Sequence, residues 1–302
     1  MYATTCKEIW EKAKELQLDK KHGTKGNTPY DSIGAVLYTS IKEYPDSSDY
    51  VKVSNRPTRF ALRNDYQDKD KIEKILSSQK YTNDTNEKEL KYHERDLHPL
   101  LVKYLFSDPH FTCFTKTILH EKSIKRAKGV NEWLHPDLVG VYFPFDDYKS
   151  ETRDLQKNLN ISTIRLFAFE MKISLSYVNL RQCYFQAVSN SSWANEGYLV
   201  CLNIDEDPDF RNELQRLTNS FGIGIIKLDK YSANESEVLF PAKFKENIDW
   251  DTVNRLVEDS PEFSLFITNL TEDIKISKIK SSYDPVLSEN DMDKYIEEKK
   301  IV

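Results

Sequence analysis

Glycine is scarce in this chain, with 8 glycines in 302 residues, which argues against a glycine-rich nucleotide-binding architecture. The four cysteines are far apart and form no C-x-x-C pair (Cys6, Cys113, Cys183, Cys201). Their spacing disfavours a disulfide framework or a zinc knuckle and favours free thiols in a reducing compartment. No apolar run reaches the about 18 residues of a membrane helix, and the N-terminus lacks the apolar segment of a signal peptide. We therefore expect a cytoplasmic protein that is not embedded in a membrane.

Net positive charge is also lacking, because the formal net charge is -6. A protein of this charge has no overall attraction to nucleic acid. Any DNA-binding function must then depend on local basic patches or on a metal ion that bridges acid and phosphate. The length, with 39% hydrophobic and 30% charged residues, fits a soluble globular protein of two or three domains with a sizeable core.

Two apolar runs in the middle of the chain carry acids. Residues 133–143 contain Pro136-Asp137, and residues 164–172 close with Glu170-Met171-Lys172. Both runs are typical of buried strands, which normally exclude acids. Carboxylates that meet across adjacent strands can hold a divalent cation, and Lys172 shares a face with Glu170 because side chains alternate along a strand. Two acids and a lysine on one face suit metal-dependent cleavage of a phosphodiester.

The first 66 residues have the pattern of a winged helix-turn-helix. Helical spacing of apolar residues covers 4–18, and Thr28-Pro29 predicts the start of a second helix. Two short alternating runs, around Val51 and Phe60, then predict a hairpin. This segment has eleven Lys and Arg against nine Asp and Glu, so it is slightly positive in an acidic chain.

The rest of the chain predicts an α/β core. A helix beginning near Glu94 is followed by a strand at 111–119, the two acid-bearing strands separated by a charged loop at 146–160, a helix at 177–190, a strand at 198–203, a helix at 208–219 and a strand at 223–228. The first three strands are close enough in sequence for a meander, and the later ones return through helices. Residues 67–90 are predicted to form a linker with an exposed helix at 68–80. Residues 241–302 predict a helix near Trp250, a short strand from Phe263 to Ile267 and an exposed acidic tail after Ser281.

The order of these elements, with Pro136-Asp137 on the second strand and Glu170-Met171-Lys172 on the third, resembles the PD-(D/E)XK nuclease superfamily over residues 90–230. The helix that follows, with Gln182-Cys183-Tyr184-Phe185-Gln186, resembles the glutamine-bearing helix of several branches of that superfamily. The run from Tyr184 to Val200 is similar to HrgA-like proteins, a set of candidate bacterial restriction endonucleases. The N-terminal segment resembles the HARE-HTH type of winged helix, which such proteins often carry.

The resemblance implies a fold and a division of the chain. The fold class is α/β (α+β), with an N-terminal winged helix-turn-helix and then a restriction-endonuclease-like mixed sheet flanked by helices. The winged helix covers residues 1–66, the linker 67–90, the nuclease-like domain 91–240 and a C-terminal extension without assigned function 241–302.

The resemblance also implies roles for individual residues. Asp137 and Glu170 would bind Mg²⁺, with Mn²⁺ as a substitute, and Lys172 would orient or help to deprotonate the attacking water and offset negative charge. Glu94 would be an outer metal ligand or an acceptor behind it, and Gln186 would position substrate or water. For each there is a structural alternative: a turn cap at Asp137, a solvated strand end at Glu170 and Lys172, and an ordinary helix-start acid at Glu94.

Double-stranded DNA is the expected partner. A segment with local charge +4 lies between the first two core strands and is predicted to contact phosphates (Lys116, Lys122, Lys125, Arg126, Lys128). In the winged helix the predicted DNA contacts are also basic (Lys20, Lys21, Lys25, Arg56, Arg59). Cutting both strands requires two active sites, so a homodimer is expected.

Two alternatives remain open at this point. The nuclease-like fold could have lost catalysis and serve as a DNA-binding or modified-base-sensing regulator. The winged helix, being nearly neutral, could dock on a protein instead of DNA, and the salt dependence of its DNA binding would separate the two.

Overall fold

The computed structural model describes residues 3–19, 29–45, 47–55, 58–65, 92–124, 133–145, 147–159 and 163–301. The helices are α1 (Cys6–Glu15), α2 (Pro29–Glu43), α3 (His98–Ser107), α4 (Ser150–Asn158), α5 (Leu180–Asn190), α6 (Pro208–Phe221), α7 (Trp250–Asp259), α8 (Pro261–Ile276) and α9 (Glu289–Lys299). The strands are β1 (Tyr50–Asn55), β2 (Thr58–Leu62), β3 (Phe114–Thr117), β4 (Leu138–Tyr142), β5 (Arg165–Leu175), β6 (Glu196–Ile204), β7 (Gly224–Lys227) and β8 (Glu237–Phe240). Short 3-10 turns are formed by Arg63–Asp65, Glu94–Leu97, His120–Lys122 and Ala233–Glu235.

The N-terminal segment folds as helices followed by a hairpin, as predicted. Helix α1 begins with a capping box, in which the Glu8 amide donates to the Thr5 hydroxyl and the Thr5 amide donates to the Glu8 carboxylate. Strands β1 and β2 are antiparallel, with Val51 opposite Ala61. The predicted helix start at Pro29 is confirmed. The predicted linker and helix at 67–90 lie outside the described residues.

The second part of the chain is built on a six-stranded mixed sheet in the order β3-β4-β5-β6-β7-β8. The pairs β3–β4 and β4–β5 are antiparallel, which confirms the meander. The pairs β5–β6 and β6–β7 are parallel, and helices α5 and α6 make the two connections. Strand β8, which the sequence pattern did not reveal, pairs antiparallel with β7. The fold is therefore mixed α/β, as expected.

Helices cover both faces of this sheet. Helices α3 and α9 cover one face and pack on the β5 residues Phe167 and Phe169. Helices α7 and α8 cover the other face over β4 and the first half of β5, where Trp193 is fully buried. Helices α5 and α6 cover that same face over β6 and β7, around Tyr184 and Leu199. Glu170, the one acid of β5, lies where the last two groups of helices meet.

Helix α6 shows how local sequence sets an element boundary. The Asp207 carboxylate accepts hydrogen bonds from the amides of Asp209 and Phe210, and Pro208 occupies the first helical position. The helix ends at Gly222, whose φ of +80° lies in the left-handed region that favours glycine. These signals place the helix within two residues of the predicted span.

The C-terminal region differs from the prediction. The expected strand from Phe263 to Ile267 is wrong, because these residues lie in α8. Ser260 caps that helix by accepting from the Phe263 amide, and Pro261 is its first residue. The tail after Ser281 is not simply exposed, since Met292 of α9 is buried against α3. Residues 241–301 therefore supply helices that cover both faces of the sheet.

Two further boundaries differ from the prediction. The expected charged loop at 146–160 contains helix α4. Strand β5 does not end at Lys172 but continues to Leu175, so Glu170 and Lys172 lie inside the strand.

Within the part of the chain described, no helix has both the length and the apolar character needed to cross a bilayer.

Candidate functional site

The candidate site lies on the ladder between β4 and β5. The antiparallel pairing ends at Leu138 opposite Phe169, and Asp137 immediately precedes that pair. Its amide donates to the Phe169 carbonyl at 3.1 Å and its carboxylate accepts from the Met171 amide, so the side chain lies beside Glu170. Lys172, two positions after Glu170, projects from the same face of β5. The structure thus brings Asp137, Glu170 and Lys172 together, as predicted from the sequence.

Hydrogen bonds fix each of these side chains. One oxygen of Asp137 accepts from the Met171 amide at 2.8 Å, and the other lies 3.2 Å from the His120 Nε2. Glu170 is 1% exposed, and its two oxygens accept from the Lys172 ammonium at 2.6 Å and from the Asn190 amide group. The site is therefore a pre-formed polar cluster below the protein surface.

Glu94 closes the outer side of the cluster. It begins the 3-10 turn that precedes α3, and its carboxylate lies 3.6 Å from the Lys172 Nζ. Burial and the charge of Asp137 raise the pKa of Glu94, against the opposing effect of Lys172. The lysine is thus held between two glutamates, one deeply buried and one half-exposed.

The two central acids have opposite pKa shifts. Burial and the Asp137 charge raise the pKa of Glu170 to about 7, although Lys172 and Asn190 act against this. Burial also opposes the charged form of Asp137, but the hydrogen bond from His120, the Lys172 charge and the Met171 amide keep its pKa below the usual value. Asp137 is therefore the permanently charged member of the pair.

Lys172 is a cation at any ordinary pH. Burial lowers its pKa, but the neighbouring charges of Glu170, Asp137 and Glu94 outweigh burial and raise the pKa above its usual value. A lysine in this state cannot accept a proton near neutral pH. Its geometry suits the stabilisation of negative charge and not general-base catalysis.

The predicted helix residue Gln186 is only partly buried, and no polar contact connects it to the acids within the described structure. Asn190, one helical turn later on α5, contacts Glu170 instead. Sequence reasoning missed Asn190, although the i, i+4 spacing from Gln186 would have suggested it. His120, which touches Asp137, was also missed, while its neighbour His135 is buried and forms no hydrogen bond in the described structure.

The predicted phosphate contacts that the structure describes are engaged with acids. Lys116 lies 3.7 Å from Asp284, and Lys122 lies 3.2 Å from Glu262. In the winged helix, Arg59 donates to the Ala3 carbonyl and pairs with Glu8. The other predicted contacts lie outside the described residues (Lys20, Lys21, Lys25, Arg56, Lys125, Arg126, Lys128). In the described ranges, no group of three or more His, Cys, Asp and Glu side chains has an arrangement that could hold a metal ion.

The winged helix packs on the sheet domain through the turn Ala233–Glu235. Lys52 of β1 is buried and forms an ion pair with Glu235, whose pKa is raised by burial. Lys42, the only basic residue of α2, pairs with Glu237. Because α2 leads into the hairpin, it is the helix that would enter the major groove in a winged helix-turn-helix. In this structure the basic side chain of that helix is paired with the sheet domain.

Comparison with known proteins identifies the N-terminal segment. Residues 4–64 match the family model of the HARE-HTH domain, a helix-turn-helix domain whose description names ASXL and restriction endonucleases. This match supports the winged helix and a DNA-binding role for that segment. No curated protein and no solved structure matches the chain.

Proposed function

We propose that this protein is a Mg²⁺-dependent DNA endonuclease of the restriction type, with a PD-(D/E)XK domain of the HrgA-like kind. The observation that carries the proposal is the convergence of Asp137, immediately before β4, with Glu170 and Lys172 of β5. The meander followed by two parallel strands agrees with the order of elements in that superfamily. The HARE-HTH match supports DNA as the partner, and the description of that family includes restriction endonucleases.

Asp137 and Glu170 fit the role of magnesium ligands. Mg²⁺ in proteins is commonly bound by one or two carboxylates and keeps several waters. The charge of Asp137 raises the pKa of Glu170, and a divalent cation would relieve that repulsion. When bound, Mg²⁺ or Mn²⁺ supplies a Lewis acid and lowers the pKa of a coordinated water.

The other residues act on charge and orientation. Lys172 offsets the negative charge that develops on the phosphate, since its raised pKa keeps it protonated. Asn190 fixes the Glu170 carboxylate through a hydrogen bond, and Glu94 holds the outer side of the lysine. Gln186 remains a proposed contact for substrate or water.

The direct test is cleavage of plasmid DNA by purified protein with Mg²⁺ or Mn²⁺, using plasmids from methylating and non-methylating hosts. We expect wild-type protein to cut, Asp137→Asn to abolish cutting, and Lys172→Met to slow it by about 100-fold. Lys227→Met is the matched control, because Lys227 lies on nearby strand β7 and also pairs with a glutamate, at 3.4 Å. Cutting that survives both site changes would falsify the site assignment.

A second candidate is a DNA-binding regulator that does not cleave. The ion pair of Lys172 with Glu170 favours it, because the positive charge of the lysine is already balanced by a carboxylate of the fold. Retention of DNA in EDTA, together with intact plasmid under every divalent metal tried, would support this function over the nuclease.

The nuclease proposal carries two further expectations. Cleavage of both strands requires two sites, so we expect a homodimer on double-stranded DNA. Light scattering of the protein with and without a duplex measures this directly. The enzyme would act in the cytoplasm, where incoming DNA is encountered.

A further inference from the structure

The 3-10 turn His120–Lys122 lies against the acid cluster. Its first residue contacts Asp137 through the His120 imidazole, 3.2 Å from the carboxylate. Its second residue, Glu121, pairs with Arg95, the neighbour of Glu94. Its third residue, Lys122, ties the turn to Glu262 of α8. This turn therefore contacts Asp137 through the His120 imidazole and Arg95 through the Glu121 carboxylate.

The Arg95–Glu121 pair has bidentate geometry. The two terminal nitrogens of Arg95 donate to the two oxygens of Glu121 at 2.7 and 2.8 Å. Two oxygens of a phosphate present the same spacing to a guanidinium group. The Glu121 carboxylate therefore occupies the position on Arg95 at which a phosphodiester would bind. The pair lies beside the acids, because Arg95 follows Glu94, whose carboxylate is 3.6 Å from the Lys172 Nζ, and Glu121 follows His120, whose Nε2 is 3.2 Å from Asp137.

The exposure of the pair separates it from the buried cluster. Both side chains are about half exposed, at 49% for Arg95 and 54% for Glu121, whereas Lys172 is 15% exposed and is held by Glu170. An exposed ion pair contributes little to stability, so exchange of its anion has a small cost. Arg95 is thus a cation at this site that an incoming backbone can reach without breaking the core.

We infer that Arg95 binds a DNA phosphate beside the acid site and that Glu121 holds the place of that phosphate until DNA arrives. The inference rests on the proposed function only in that DNA enters this site. It needs no covalent step, because one anion replaces another on the same guanidinium group. Arg95 would position the DNA backbone, while Asp137, Glu170 and Lys172 act on the scissile phosphate.

The test measures DNA binding and not cleavage. A fluorescein-labelled duplex of about 20 base pairs is titrated with the full chain in EDTA, and anisotropy gives Kd. We expect Glu121→Gln to tighten binding about two- to five-fold, the range of an exposed ion pair. We expect Arg95→Ala to weaken binding about ten-fold, because charge-assisted bidentate contacts are among the strong ones. Arg95→Lys keeps the positive charge but cannot form the bidentate contact of a guanidinium group, so it should weaken binding nearly as much as Arg95→Ala.

The chain offers a matched control on α6. Arg216 donates to both oxygens of Glu213 at 2.7 and 2.6 Å on the outer side of helix α6, and in the described structure neither side chain forms a hydrogen bond or ion pair with an acid of the cluster. Glu213→Gln makes the same change in net charge as Glu121→Gln. The inference is supported if Glu121→Gln lowers Kd more than Glu213→Gln does and if this difference disappears when Arg95→Ala is also present. Equal effects of the two glutamine variants, or a tightening that persists without Arg95, overturns it.

Failure of this inference can be told apart from failure of the proposed function. If the wild-type protein cleaves DNA with Mg²⁺ but the Glu121 and Arg95 variants bind DNA like wild type, the role of Arg95 is refuted and the nuclease proposal stands. If the variants change DNA binding as expected but the wild-type protein does not cleave, Arg95 is a phosphate contact and the nuclease proposal is refuted. Because Arg95→Ala could affect folding, thermal unfolding of each variant accompanies the titrations, and Arg95→Lys repeats the cycle with a smaller perturbation.

Discussion

Glu170 is almost fully buried, yet its carboxylate has three polar neighbours: an ammonium group, a side-chain amide and a second carboxylate. Lys172 and Asn190 donate to it, and the Asp137 carboxylate lies beside it, accepting from the amide of the next residue, Met171. The sequence predicted the two acids and the lysine because alternation along a strand assigns faces reliably. It indicated the right face of helix α5 through Gln186, but which residue on that face reaches Glu170 depends on where the helix lies along the strand, and that residue is Asn190.

The pKa of Glu170 predicts a pH dependence of stability. Burial raises this pKa from 4.5 to about 7, so the protonated form is favoured in the folded state. Its contribution is fully present below the unfolded pKa and is lost as the pH rises through 7. In EDTA we expect Glu170→Gln to gain a few degrees in Tm relative to wild type between pH 5 and 8. Scanning fluorimetry measures this, and a gap that stays constant with pH, as expected for Glu213→Gln, would contradict it.

Asn190 predicts an effect on metal affinity. Replacing it by leucine keeps the size of a buried side chain but removes the donor to Glu170. Groups that orient a metal ligand typically contribute about 10- to 100-fold to affinity. We expect Asn190→Leu to weaken Mg²⁺ or Mn²⁺ binding by that factor in calorimetry. Gln186→Leu, one turn earlier on the same helix, should weaken metal binding less. A larger effect of Gln186→Leu than of Asn190→Leu would favour Gln186, the residue chosen from the sequence.

At the scale of elements, long segments with clear periodicity were predictable and short apolar runs were not. Helices α6 and α7 and the parallel strands fall where the pattern indicates. Residues 263–267 form five apolar-rich positions that fit a strand or a buried helix equally well, since periodicity cannot decide so short a run. The cap at Ser260 and Pro261 decides for helix α8.

Helix α8 predicts a stability effect at the residues of its buried face. Phe263 is fully buried and packs edge-on against Trp193, with ring centroids 4.9 Å apart. Phe263→Ala should lower the free energy of unfolding by about 3 to 5 kcal/mol, through lost burial and the cavity left behind. Leu265→Ala on the same helix is the control, because Leu265 is 49% exposed. Urea denaturation measures both, and similar losses would argue against the packing described.

At the scale of the whole molecule, the arrangement of the two parts could not be read from the sequence. The contact depends on Lys52 of a short hairpin strand and Glu235 of a turn that follows β7. Neither residue stands in a recognisable pattern, and they are 183 positions apart. The same limitation applies to α9, whose apolar residues are too few to predict that it covers the sheet.

The buried ion pair predicts how the winged helix is held. Glu235→Ala leaves Lys52 buried without its partner, which typically costs about 3 kcal/mol, a factor of roughly 100 in the ratio of docked to undocked forms. We expect amide exchange in α2 and in Ala233–Glu235 to speed up accordingly. Lys42→Met, which removes a pair whose lysine is 66% exposed, should change exchange little. Unaltered exchange in Glu235→Ala would show that other contacts hold the two parts together.

The turn that carries Glu94 and Arg95 is braced from very far along the polypeptide. The Tyr295 hydroxyl donates to the Asp96 carbonyl at 3.0 Å across 199 positions, and Lys299 lies 2.9 Å from the Asp96 carboxylate. A ribosome makes the N-terminal strands first, and contacts between such distant positions form late because a large loop must close. A nascent chain that already contains Asp137 and Glu170 therefore lacks this brace until translation has passed α9.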